Sequence, residues 1–214
     1  MTKYQQIFYN IKTSRDYKTI GKNIDYKIIV DNKNKEIVLQ YEESRQDSDW
    51  ILNFAVIPCP LFLDKHLVWT TLGYAIAYSS CKNEPINLFE AEYKAHKDYK
   101  LIIQGWSFGS AMAKIAVRHF SIRCGKNILD EELTYGDVKV WVNPFVHWLS
   151  KNWVKVRHNF TYINDLVTWC VPFFFRHNKN KVGDKINIKK LFNTEYNHMH
   201  YEEYDYSDYE KETV

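Results

Sequence analysis

The chain has 214 residues, 45% hydrophobic and 16% aromatic, with 29 Lys and Arg against 26 Asp and Glu. That is ample material for a core in one domain and excludes wholesale disorder. A net charge of +3 with no basic block argues against a nucleic-acid binder, and four cysteines without CxxC spacing argue against a zinc knuckle or disulfide scaffold.

Residues 1–25 read as an N-terminal segment whose opening, MTKYQQIFYNIKTSRDYK, has no apolar leader core, so a cytoplasmic chain is expected. Richness in Lys, Asn, Ile and Tyr is the composition an AT-rich genome gives, a virus or phage among them. Residues 26–30 (YKIIV) and 36–41 (EIVLQY) flank a turn-forming DNKNK and predict a strand pair. The prolines at 58 and 60 predict a loop, residues 64–81 a helix, and residues 87–96 a second helix capped by Asn87 with Glu90 three residues on. Residues 99–104 (YKLIIQ) read as a buried strand, 105–109 as a turn, and 110–120 as a helix of small side chains. Two more strands are predicted over 138–142 (VKVWV) and 160–164 (FTYIN). The apolar run 167–175 is about half the ~20 residues a membrane helix needs. The last fourteen residues are acidic and tyrosine-rich and are expected to fray, with 205–214 as a tail. Alternating strands and helices predict an α/β fold, a mostly parallel central sheet flanked by helices, in a single domain over 26–204.

Gly105-Trp106-Ser107-Phe108-Gly109 fits G-x-S-x-G. A serine on a tight strand-to-helix turn adopts a strained backbone that tolerates only glycine two residues away. The following helix aims free N–H groups and its positive dipole end at the place where an oxyanion would form. With 7 glycines in 214 residues, a given serine carries both by chance roughly once in a thousand. The flanking strand and helix are the context the motif requires, so Ser107 is the candidate nucleophile.

LIIQGWSFGSAMAKIA resembles the nucleophile elbow of the class 3 (fungal-type) lipases of the α/β-hydrolase superfamily. That family usually has His before the serine and Gly-Gly after the next residue; here Trp106 and Ser110 stand in two of those places. The family also carries Phe-Arg-Gly-Ser/Thr, then Asp-Trp, ahead of the elbow. Tyr41-Glu42-Glu43-Ser44 and Asp49-Trp50 fall there, with Glu42 and Glu43 replacing Arg and Gly. The resemblance implies that Ser44 and Phe108 give backbone N–H groups to an oxyanion hole.

The superfamily order is Ser, acid, His. Asp165, just past the 160–164 strand in FTYINDLVTWCVP, matches the family's acid, and Asp137, which precedes a strand, is the alternative. Of eight histidines, those at 66, 96 and 119 are expected in helices, and 147 and 158 also precede Asp165. His177 follows the acid by only 12 residues. The register of Tyr196-Asn197-His198 makes His198 the implied base, with His200 the runner-up. His-x-His also has a metal-ligand look, but no carboxylate or cysteine set completes it, so neither metal nor cofactor is expected.

The implied activity is a serine hydrolase cleaving carboxylic esters through an acyl-enzyme. Two apolar stretches, 51–63 and 171–175, suggest an acyl groove, lipid esters as substrate, and transient contact with a membrane surface. Two alternatives follow from the residues. Glu42 and Glu43 beside the oxyanion hole would oppose the developing charge unless they point away or pair with a cation such as Arg45, leaving a non-catalytic binding module on the same fold. A short-chain carboxylesterase is the other.

Overall fold

The computed structural model describes residues 1–22, 24–42, 57–81, 83–142, 152–162, 165, 168, 180–182, 194–206 and 209. The first element is helix α1 (Lys3–Thr13), opened by a capping box: Gln5 N–H donates to Thr2 Oγ1, and Thr2 N–H to Gln5 Oε1. Its buried stripe is Tyr4, Phe8 and Ile11, the i, i+4, i+7 spacing of a helix lying on a core.

Strands β1 (Lys18–Ile20), β2 (Ile24–Asp31) and β3 (Glu36–Tyr41) run antiparallel. Asp31 closes the β2–β3 turn by accepting from the N–H groups of Lys33 and Asn34, the short polar side chain standing in for a backbone acceptor. From β3 onward all pairing is parallel, through β6 (Lys100–Trp106), β7 (Leu129–Tyr135), β8 (Val154–Tyr162) and β9 (Asn180–Val182). The sheet order among the described residues is β1-β2-β3-β6-β7-β8-β9. Strands β4 (Pro58–Leu63) and β5 (His66–Thr71) form a separate two-stranded ribbon.

One sheet face is covered by α4 (Phe108–Cys124) and, over β2 and β3, by α3 (Glu84–Ala95), with α2 (Leu72–Ser80) and the ribbon packed beside α4. Gly109, Ser110, Ala111, Ala113 and Ala116 let α4 lie close to its neighbours, and it is buried almost all round. The opposite face, next to α1, is aromatic: Tyr4, Phe8, Trp106, Tyr135, Phe160, Tyr201 and Tyr206 pack together.

Several expectations change. The prolines at 58 and 60 lie in a strand, because a two-stranded ribbon leaves alternate N–H positions unpaired and tolerates them. Residues 64–71, expected in a helix, form the ribbon's turn and second strand, so His66 is in β5 and the helix begins only at Leu72 after its Thr71 cap. The second helix starts at Glu84 rather than Asn87, with Pro85 in its first turn. The expected strand at 138–142 is buried chain outside the sheet, and the strand in its place is β7. Of the acidic tail, residues 207, 208 and 210–214 lie outside the described residues; Tyr206 is fully buried, its hydroxyl donating to the Tyr201 carbonyl, and Tyr209 packs edge-on against Phe160.

Candidate active site

Strand β6 ends at Trp106 and α4 begins at Phe108, so Ser107 alone makes the turn, at φ 56°, ψ −120°. A non-glycine residue there is strained and persists only where its surroundings hold it. They do: Ser107 N–H donates to the Tyr135 carbonyl at 2.9 Å. The two motif glycines are a steric requirement. A Cβ on Gly105 would lie 2.2 Å from the Gly109 carbonyl oxygen, and one on Gly109 2.7 Å from the carbonyl oxygens of Tyr41 and Glu42.

Three of the residues singled out from sequence meet at this turn. His198 Nε2 lies 2.6 Å from Ser107 Oγ, and His198 Nδ1 lies 2.7 Å from Asp165 Oδ2. All three are buried, Ser107 being 5% exposed. A carboxylate accepts, so Asp165 favours the tautomer with the proton on Nδ1 and leaves Nε2 free to accept from the serine hydroxyl. Asp165 is itself held: its N–H donates to the Tyr162 carbonyl at 3.0 Å, and Tyr201 Oη donates to Oδ2 at 2.9 Å. Tyr201 in turn accepts from Tyr162 N–H at 2.9 Å. Burial pushes the Tyr201 phenol well above its ordinary value of 10.0, so it stays a proton donor to the carboxylate.

Tyr201 and Gly136 belong to the site and were not singled out from the sequence. Gly136, at φ +55°, follows β7, and a Cβ there would come within 2.7 Å of His198 Cε1. Its absence lets the imidazole reach the serine. No local pattern marks Gly136, because the group it admits comes from 62 positions further along the chain.

Phe108 opens α4, so its N–H is among the first-turn donors without an acceptor inside the helix, beside Ser107. Ser44, Glu43 and Arg45 lie outside the described residues, as do His177 and both apolar stretches except residues 57–63. Glu42 is buried; its N–H donates to the Asp25 carbonyl and its own carbonyl abuts Gly109. His200 is not at the serine. It stacks on Tyr196, ring centroids 4.1 Å apart, and faces Glu202 and Glu203 at 3.5 and 3.3 Å. Asp137 is engaged by Lys114 at 2.5 Å and by the Thr134 hydroxyl at 2.8 Å. No group of three or more metal-binding side chains occurs among the described residues. No described helix is long and apolar enough to cross a membrane.

Fold and site together define an α/β-hydrolase: a mostly parallel sheet, helices on both faces, and a serine on the strand-to-helix turn within hydrogen-bond reach of a histidine. The family model for Lipase (class 3) matches residues 38–175, more than half of the sequence, and the chain belongs to that family. Solved structures agree on the fold. A fungal lipase–inhibitor complex that served as a model for interfacial activation in lipases superposes with a TM-score of 0.66 at 20% identity, over 77% of this chain and 63% of that one. Rhizomucor miehei triacylglyceride lipase gives 0.65 at 18% identity, over 78% and 64%. Lipase II from Rhizopus niveus gives 0.64 at 20%, over 75% and 61%. The chain thus spans somewhat under two thirds of the length of these structures. Among curated proteins no sequence match is found.

Proposed function

We propose that the chain is a carboxylic ester hydrolase acting on lipid esters through a covalent acyl-enzyme. The observation that carries this reading is the hydrogen-bonded line from Ser107 through His198 to Asp165, with steps of 2.6 and 2.7 Å, on a strained nucleophile turn. Ser107 Oγ attacks the ester carbonyl while His198 Nε2 takes its proton; Asp165 holds the tautomer and stabilises the imidazolium. The tetrahedral oxyanion is met by the Phe108 N–H and the N-terminal end of α4, with Ser44 as the second donor. The imidazolium then protonates the leaving alcohol, and water cleaves the acyl-enzyme by the same route.

Lipid rather than small polar esters are favoured by family membership and by the outer face of the ribbon. There Phe62 pairs across from Leu67 and Pro60 from Trp69, and Phe62 is 67% exposed. An exposed apolar face of this kind suits transient contact with a lipid surface. The deciding experiment is labelling with a fluorophosphonate followed by peptide mapping, beside an acyl-length panel of p-nitrophenyl esters. The adduct is expected on Ser107 and to vanish in His198→Ala, with turnover rising with acyl length. An unlabelled, inert wild-type chain would leave a binding module on a hydrolase fold.

A further inference from the structure

The segment that brings His198 to the site is α5 (Thr194–Met199), a helix of six residues. Such a short helix has little cooperative stability of its own, and its last carbonyls have no partner inside it. Three consecutive carbonyls here each accept a hydrogen bond from a side chain outside the helix, two of them from far away in sequence. Tyr204 Oη donates to the Asn197 carbonyl at 2.7 Å, Trp106 Nε1 to that of His198 at 3.2 Å, and Lys12 Nζ to that of Met199 at 2.7 Å.

We propose that Trp106 and Lys12 are positioning residues that set the angle and reach of the His198 imidazole toward Ser107. This rests on the hydrolase reading above and deepens it. Trp106 directly precedes the nucleophile, so one residue fixes the serine's backbone on one side and the base's backbone on the other. It is itself immobilised: the indole is 3% exposed and meets Phe8 edge-on, centroids 5.3 Å apart. The ring lies 6.1 Å from that of His198. Lys12 comes from the last turn of α1 and also pairs with Glu202 at 2.7 Å. A cation at a helix C-terminus is favoured by the helix dipole as well as by the hydrogen bond. The departure from the family's usual His before the serine thereby acquires a role, since an indole N–H is a donor only and reaches a carbonyl without titrating.

The test separates the lost donor from lost structure. Trp106→Phe keeps a ring and removes the N–H; Lys12→Met keeps the stem and removes the charge; Lys12→Arg restores a donor. Each is assayed for kcat and KM on p-nitrophenyl butyrate and for the rate of fluorophosphonate labelling of Ser107, with circular dichroism and Tm alongside. One hydrogen bond of ordinary strength corresponds to a loss of about tenfold. Trp106→Phe and Lys12→Met are each expected to lower kcat and labelling rate by about that factor at unchanged KM, with Lys12→Arg recovering most of it. Lys12 is partly exposed, so its variants report even if Trp106→Phe fails to fold. Wild-type labelling rates in folded Lys12→Met and Trp106→Phe would overturn the positioning role while leaving the hydrolase reading intact. A wild-type chain that takes no label would overturn both.

Discussion

The two faces of the sheet are built from different chemistry and from different parts of the chain. The α4 face is mostly aliphatic and alanine-rich, with rings such as Tyr78 and Phe120 among the alkyl groups, and it draws on the chain from β2 to the start of β8. The α1 face is aromatic, and it joins Tyr4, Phe8 and Ile11 to Tyr201 and Tyr206, all outside the family-matched residues 38–175. The first face carries the Ser107 turn; the second brings His198. Strain is thus stored where the backbone is locally over-determined, while His198 is delivered by long-range aromatic packing whose edge-to-face pairs fix orientation.

The largest expected effect probes the line that joins the faces. Asp165→Asn should keep the fold and lower ester turnover by about three to four orders of magnitude, since the amide favours the wrong tautomer. Near-wild-type kcat in the folded variant would remove Asp165 from the proposed role. Next come matched truncations. Phe8→Ala and Phe120→Ala each delete a fully buried ring, one per face, and each should cost about 3–5 kcal/mol in urea denaturation. Only Phe8→Ala should also lower kcat per folded molecule, because Phe8 packs on Trp106 and Tyr201 while Phe120 packs on Phe89 and Tyr93. Equal kcat in the two variants would mean that the faces do not divide the work as described.

A smaller effect tests how the ribbon is fastened to the aliphatic face. Arg123 grips Asp64 at 2.7 and 2.8 Å and holds its carboxyl well below the ordinary 3.8, while burial lowers the His119 imidazole, 3.2 Å from Asp64, below its ordinary 6.5. A carboxyl with a depressed folded-state pKa binds fewer protons than in the unfolded chain, so its contribution is present above about pH 4 and lost as pH falls further. The depressed imidazole likewise contributes above about pH 6.5, and that contribution declines as pH drops below it. Asp64→Asn should cost about 1 kcal/mol or less at pH 7. It should also flatten the acid decline below pH 4 and deepen the earlier one, because the Asp64 carboxylate partly offsets the burial that depresses His119, as measured by denaturation at pH 7, 5 and 3. Least affected should be His200→Ala, whose ring stacks on Tyr196 away from the serine: kcat within about twofold of wild type in the ester assay.

Much of the aliphatic face was legible in the sequence. The β2–β3 pair, the YKLIIQ strand, the motif turn and the small-residue helix follow from local pattern, because their burial matches their composition. β7 was not, since LDEELTY looks solvated. Its carboxylates are buried through partners on neighbouring strands: Glu131 takes Lys100 at 2.6 Å, and Glu132 takes Arg157 and Asn159, each at 2.8 Å. The apolar VKVWV misled for the converse reason, as it is buried beside the sheet rather than in it. For the site, chemistry-bearing residues could be read from motif and order, and Ser107, Asp165 and His198 do converge. The glycine, tyrosine, indole and ammonium around them could not, because each acts on a group far away in sequence.

The hydrogen bonds from α1 to the histidine segment span very long stretches of chain, 187 residues between Lys12 and Met199 and 199 between Gln5 and Tyr204. Contacts of such separation close late, because the entropy of the whole intervening loop must first be given up. During synthesis α1 emerges well ahead of the segment it holds and waits, without its partner, until the chain has been made through Tyr204. The Ser107 turn can be in place while His198 is still missing. On the proposed function, ester turnover is then a clock for the closing of these contacts, and a chain lacking α1 or the His198 segment is silent however well its central sheet has formed.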